Sequence, residues 1–91
     1  MSTLQTMSLD WSAFAPVHGP VPRYRQLAQF IGKAVQDGRL QPGEPLPSEA
    51  AMADYAGVST DTVRAALQLL RDDGVIVTSQ GIGSFVAGER S

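Results

Sequence analysis

The chain has 91 residues, 43 % of them hydrophobic and 7 % aromatic, with formal charge −2 and pI near 5.1. That is one small domain with a modest core, and a domain of this size buries only about 60 % of its unfolded surface, so oligomerisation is a ready source of further stability. Cysteine is absent, which excludes disulfides and thiolate metal sites, and neither a basic leader before an apolar run nor a stretch of about 18 apolar residues occurs, so a cytoplasmic protein without signal peptide or membrane-spanning helix is expected.

Residues 1–21 carry Ser, Thr, Gly and two prolines, with scattered Leu4, Leu9, Trp11 and Phe14 and no periodicity. They are expected to form a mobile arm. The alternative is an arm that packs Trp11 and Phe14 on the domain or on a second copy. From Pro22 the pattern changes. Tyr24, Leu27, Ala28, Ile31, Ala34 and Val35 fall on one helical face, with Arg25, Gln26, Lys33 and Gln36 off it. Pro22 suits the first turn and Gly38 the exit, which predicts a helix over about 22–37.

The stretch GRLQPGEPLP, residues 38–47, holds three prolines and two glycines and reads as a loop, with a two- or three-residue strand around Leu40. Ser48 then caps a short helix to Ala56, with Glu49 in its first turn and Met52 in the core. Gly57 breaks it. Ser59 caps a third helix over about 60–73, with Asp61 in its first turn and Val63, Ala66, Leu67 and Leu70 inward; Gly74 stops it. Residues 75–79 and 84–87 are rich in β-branched and aromatic side chains around Gln80-Gly81-Ile82-Gly83, the pattern of a hairpin. The fold class expected is mainly α with a small β-hairpin, a domain over 22–87 and a tail over 88–91.

The second and third helices carry the functional signal. Ala53 is small enough to let a second helix approach. Gly57, four residues on, accepts the positive φ of the turn, and Val63, six further, locks the helices together. Many helical hairpins share that spacing. Followed by a glycine-tipped hairpin, it is the pattern of a winged helix-turn-helix.

The segment from Tyr24 to Val86 resembles the DNA-binding domain of GntR-type bacterial transcription regulators. The resemblance lies in YRQLAQFI, GRLQPGEPLPSE, GVSTDTVRAALQLLRDDG and QGIGSFV, about two-thirds of the chain. It implies a third helix in the major groove, a wing at the minor groove, and a homodimer on a palindromic operator in double-stranded DNA. The site residues it implies are Tyr24, Arg25, Ser48, Ser59, Thr60, Asp61, Thr62, Arg64, Gln80, Gly81 and Gly83. Physical chemistry agrees for several of them. Helices dock in the major groove by their N-terminal end. Hydroxyls and free amides there hold phosphate. A guanidinium at position 64 can pair bidentately with guanine, about 1–3 kcal/mol of discrimination. Each has a plainer reading: Arg64 as a solvated charge paired with Asp61 or Gln68, Tyr24 as core, Arg25 as solvated, the glycines as an ordinary hairpin tip.

The chain departs from the family pattern where basic residues are usual: Ala50, Thr60, Ser79 and Ile82 stand there. Between residues 22 and 86 six Lys or Arg face seven Asp or Glu. Each missing cation removes one counterion-release term, so weaker and less salt-sensitive DNA binding is expected. The family usually continues into an effector-binding and dimerising domain. With the sequence ending at Ser91, that domain is expected to be lacking, leaving dimerisation to the arm or helix 1. The competing function is a winged-helix protein-interaction module, for instance one that pairs with a longer regulator. An enzyme is disfavoured. His18, the one histidine, has no metal-ligand partner, Asp72-Asp73 ends a helix, and the Gly-Ile-Gly triplet is no phosphate loop. No cofactor and no metal are expected.

Overall fold

The computed structural model describes residues 9–88. A single 3₁₀ turn over Trp11–Ala13 leads to α1 (Arg23–Gln36), α2 (Glu49–Ala56) and α3 (Thr60–Asp72), then β1 (Ile76–Ser79) and β2 (Gly83–Val86). This is the expected order of three helices and a wing.

Each helix buries the face its spacing marks out. In α1, Leu27, Ala28, Ile31 and Ala34 are buried, with Tyr24 and Val35 packed beside them. In α3, Val63, Ala66, Leu67 and Leu70 are buried. Between them α2 contributes Met52, Ala53 and Ala56. The caps follow from residue chemistry. Ser48 Oγ accepts from the Ala51 N–H at 3.1 Å, and Ser59 Oγ accepts from the Thr62 N–H at 3.1 Å. Each satisfies a helix-end donor that would otherwise face water alone. Gly57 adopts φ 70°, left-handed backbone that an L side chain strains to reach, so the chain turns there and α3 starts three residues later.

The wing is an antiparallel pair with Ile76 opposite Val86 and Ser79 opposite Gly83. Ile76 and Val86 are buried, and this end of the hairpin anchors to the core. The loop 38–47 differs from expectation. No strand forms at Leu40, whose N–H and that of Arg39 are taken by the Ala34 carbonyl at the end of α1. The extended contact lies further on, as a bridge between Pro45 and Phe85. There the Leu46 N–H reaches the Ser84 carbonyl and the Val86 N–H reaches the Glu44 carbonyl, both at 2.9 Å. Proline lacks a donor and so sits at a sheet edge, which is where Pro45 lies.

The leading segment attaches to the domain. Leu9 and Trp11 are buried, Trp11 at 5 % exposure. The Trp11 ring lies 6.2 Å from Phe30 of α1 and 6.4 Å from Tyr55 of α2, and Phe14 lies 5.4 Å from Phe30. A second fastening comes from Gln26. Its Oε1 accepts from the Val17 N–H at 2.9 Å, while its Nε2 donates to the carbonyls of Val17 at 2.9 Å and Val21 at 2.8 Å. The packed body therefore includes Leu9 and Trp11, ahead of the boundary expected at residue 22. Of the expected arm, residues 1–8 lie outside the described residues; of the expected tail, so do 89–91.

Candidate nucleic-acid interface

The N-terminal end of α3 is open. Ser59, Thr60, Asp61 and Arg64 are exposed, and Thr62 is half-buried. Among the described residues, the segment from Leu9, packed on α1 and α2 through Trp11, leaves this end uncovered. Its polar groups are organised among themselves. Besides accepting from the Thr62 N–H, Ser59 Oγ donates to Thr62 Oγ1 at 3.1 Å. Arg64 Nε donates to Glu49 Oε1 at 3.0 Å and Nη1 to Asp61 Oδ1 at 3.3 Å. The plainer reading of Arg64 is the one the free chain displays: it is exposed and Asp61 is a partner, while Gln68 turns instead to Asp72 and Arg71.

Those ion pairs are weak restraints. The side chains are 61 % exposed at Arg64 and 41 % at Glu49. Exposed pairs contribute about 0–1 kcal/mol. A guanidinium meeting guanine gains about 1–3 kcal/mol. Glu49 and Asp61 hold the arginine at the helix end without locking it there.

A cleft of about 600 Å³ lies between the start of α2, the later turns of α3 at Leu67 and Arg71, and the wing, and it connects to the start of α3 through Glu49, the partner of Arg64. It gathers four of the expected residues, Ser48, Gln80, Gly81 and Gly83, together with Glu49 and Arg71. The tip of the wing is glycine for a backbone reason. Gly81 has φ 82° and Gly83 φ 134°, and the Ile82 N–H closes the turn onto the Ser79 carbonyl at 3.0 Å. Ile82 stands out from the tip at 74 % exposure.

Two expected residues stand apart. Tyr24 packs against the core, with the Arg25 guanidinium 5.9 Å from its ring centre. Arg25 lines a different groove, between α1, the end of α3 and residues 86–88. Two residues that line the cleft escape a reading by elements. Glu49 looks like a helix-start acid, and its partner Arg64 lies fifteen residues away. Arg71 looks like a helix-end charge; the signal was its position two turns after Arg64 on one face, beside a wing without a cation. Among the described residues no group of His, Asp and Glu is arranged to hold a metal, and no helix is long and apolar enough to cross a membrane.

Comparison with known proteins gives the same architecture. Residues 20–86 match the model of "Bacterial regulatory proteins, gntR family". The mannosyl-D-glycerate transport/metabolism system repressor MngR of Escherichia coli K12 is 42 % identical over 72 residues, 79 % of this chain and 30 % of that protein. The transcriptional repressor NagR of Bacillus subtilis is 40 % identical over 68 residues, 75 % of this chain and 28 % of that one. The chain thus spans about a third of the length of the curated relatives it matches. Among solved structures, AraR(DBD) in complex with operator ORX1 superposes with TM-score 0.73 at 31 % identity, over 79 % of this chain and 93 % of that one. YtrA, a GntR-family transcription factor from Sulfolobus acidocaldarius, gives TM-score 0.73 at 36 % identity, over 79 % and 76 %. With its helices, turn and wing in place and most of its length matched, this chain belongs to the gntR family of bacterial regulatory proteins and carries its winged helix-turn-helix.

Proposed function

We propose that this chain reads double-stranded DNA in the cytoplasm as part of a transcription regulator. α3 enters the major groove by its N-terminal end and the wing tip approaches the minor groove. The observation that carries this reading is the exposed start of α3, where Ser59, Thr60, Thr62 and Arg64 stand, linked through the Arg64–Glu49 pair to the cleft that Ser48, Gln80, Gly81 and Gly83 line. Arg64 carries base readout, while the hydroxyls and N-terminal amides hold phosphate. Arg25, with Tyr24 beside it at the start of α1, stands apart from this cleft and would reach only the flanking backbone. Two copies on a palindrome would place two such helices about one duplex turn apart, which is how dimeric readers of this type reach their affinity.

A second reading has one observation in its favour. Arg64, the cation of the helix end, belongs to a chain with net negative charge and is already engaged with Glu49 and Asp61. A winged helix used this way would pair with another protein, for instance a longer regulator, and bind no duplex. Selection of bound duplexes from a random pool, followed by anisotropy titration at low salt, separates the two. A recovered palindromic motif whose binding is lost on Arg64→Ala is the outcome the DNA reading requires. Absence of enrichment and of any low-salt binding would leave the protein-pairing reading standing.

A further inference from the structure

Arg71 has no place in the reading above, yet its surroundings are specific. It lies seven residues after Arg64, two turns along the same face of α3 and about 10 Å further on. Its Nη1 donates to Thr78 Oγ1 of β1 at 2.9 Å, and its Nη2 donates to Gln68 Oε1 at 3.0 Å. Thr78 Oγ1 in turn lies 3.1 Å from Ser84 Oγ across the hairpin. Arg71 is a half-buried residue whose guanidinium is held by neutral groups and directed toward the wing.

The charge balance around it is lopsided. Residues 74–88, which contain the whole wing, include no Lys or Arg. Among the described residues, Arg71 is the one cation lining the cleft between α3 and the wing, and it makes no ion pair with a carboxylate. The cleft's carboxylate, Glu49, is engaged by Arg64. A guanidinium has five N–H donors in a planar fork that matches phosphate oxygens, and the two bonds seen here leave others to spend. The hydroxyls of Ser48, Thr78 and Ser84 share the same cleft and are suited to a phosphate oxygen as well.

We propose that Arg71 is a DNA-backbone contact: it presents a fixed cation to a phosphate entering between α3 and the wing and supplies the charge that the wing lacks. This rests on the DNA reading above. The alternative is a brace, in which Arg71 orients the wing through Thr78 and meets no phosphate.

Salt dependence separates contact from brace, because a lost phosphate contact lowers the slope of log K against log salt by about 0.9 and a lost brace does not. The experiment titrates a short duplex of mixed sequence against wild type, Arg71→Gln and Arg71→Lys between 50 and 200 mM salt, with thermal melts to confirm folding. The phosphate term is independent of sequence, so no operator is needed. The expected result is a weaker R71Q whose deficit against wild type shrinks about 3.5-fold across that salt range, the fold-change a slope difference of 0.9 gives. R71K, which keeps the charge, retains the wild-type slope. An R71Q that binds like wild type, or more weakly with an unchanged slope, overturns the contact and leaves the DNA reading intact. If wild type binds no duplex at 50 mM salt, the DNA reading fails and the contact with it.

Discussion

Glu49 allows stability and DNA affinity to be driven in opposite directions. Its carboxylate sits in the first turn of α2, accepts from Arg64 Nε at 3.0 Å and lines the cleft beside the wing. In the free protein, Glu49→Gln removes an exposed ion pair of about 0–1 kcal/mol and a favourable helix-start charge of about 0.3–1 kcal/mol. A loss near 1 kcal/mol lowers Tm by about 4–8 °C in a domain of this size. In the proposed complex the same carboxylate would face the phosphates. Two like charges about 7 Å apart repel by about 0.6 kcal/mol in bulk water and a few-fold more at a protein surface, and salt then screens part of this. Removing that repulsion tightens binding about 3- to 10-fold. The assay pairs a thermal melt with an anisotropy titration of a short duplex at 50 and 200 mM salt. Lower Tm with tighter binding is the expected outcome. Affinity that stays level or falls with Tm would mean that the start of α2 and its cleft do not face DNA.

Three further substitutions test other parts of the structure. Trp11→Ala removes a buried ring that bridges Phe30 and Tyr55 and should cost about 3–5 kcal/mol, read as a fall in urea midpoint; a change under about 1 kcal/mol would detach the leading segment from the core. Gln26→Ala deletes three bonds to the Val17 and Val21 backbone and should speed amide exchange at Val17, at a stability cost of about 1–2 kcal/mol; unchanged exchange there would show that Gln26 does not hold the segment. Ile82→Arg places a cation on the exposed wing tip and should steepen the salt slope of DNA binding by about 0.9; an unaltered slope would put the tip away from the duplex.

What the sequence discloses is what periodicity and turn chemistry encode. The inward faces of α1 and α3, the caps at Ser48 and Ser59, the left-handed Gly57 and the glycine-tipped wing are all local patterns, and each appears where its residues put it. What stays hidden is contact between distant residues. Trp11 belongs to an irregular segment without a period, so its burial depends on Phe30 and Tyr55, which only the folded chain brings near. The extended segment lands at Pro45 because β2 offers its edge there, which no feature of residues 38–47 announces. Of the interface, the start of α3 was legible as a capped, hydroxyl-rich helix end. The pairing of Glu49 with Arg64 and of Arg71 with Thr78 was not, since both join separate elements.

We propose that the start of α3 and the wing tip form the face that meets DNA. Amide chemical-shift mapping by NMR, as a selected duplex is titrated into the labelled protein, tests it most directly. The largest shifts are expected at residues 59–64 and 79–83, with the Leu9 to Val17 segment nearly still. Shifts concentrated instead on the groove between α1 and residues 86–88, with 59–64 unmoved, would contradict it.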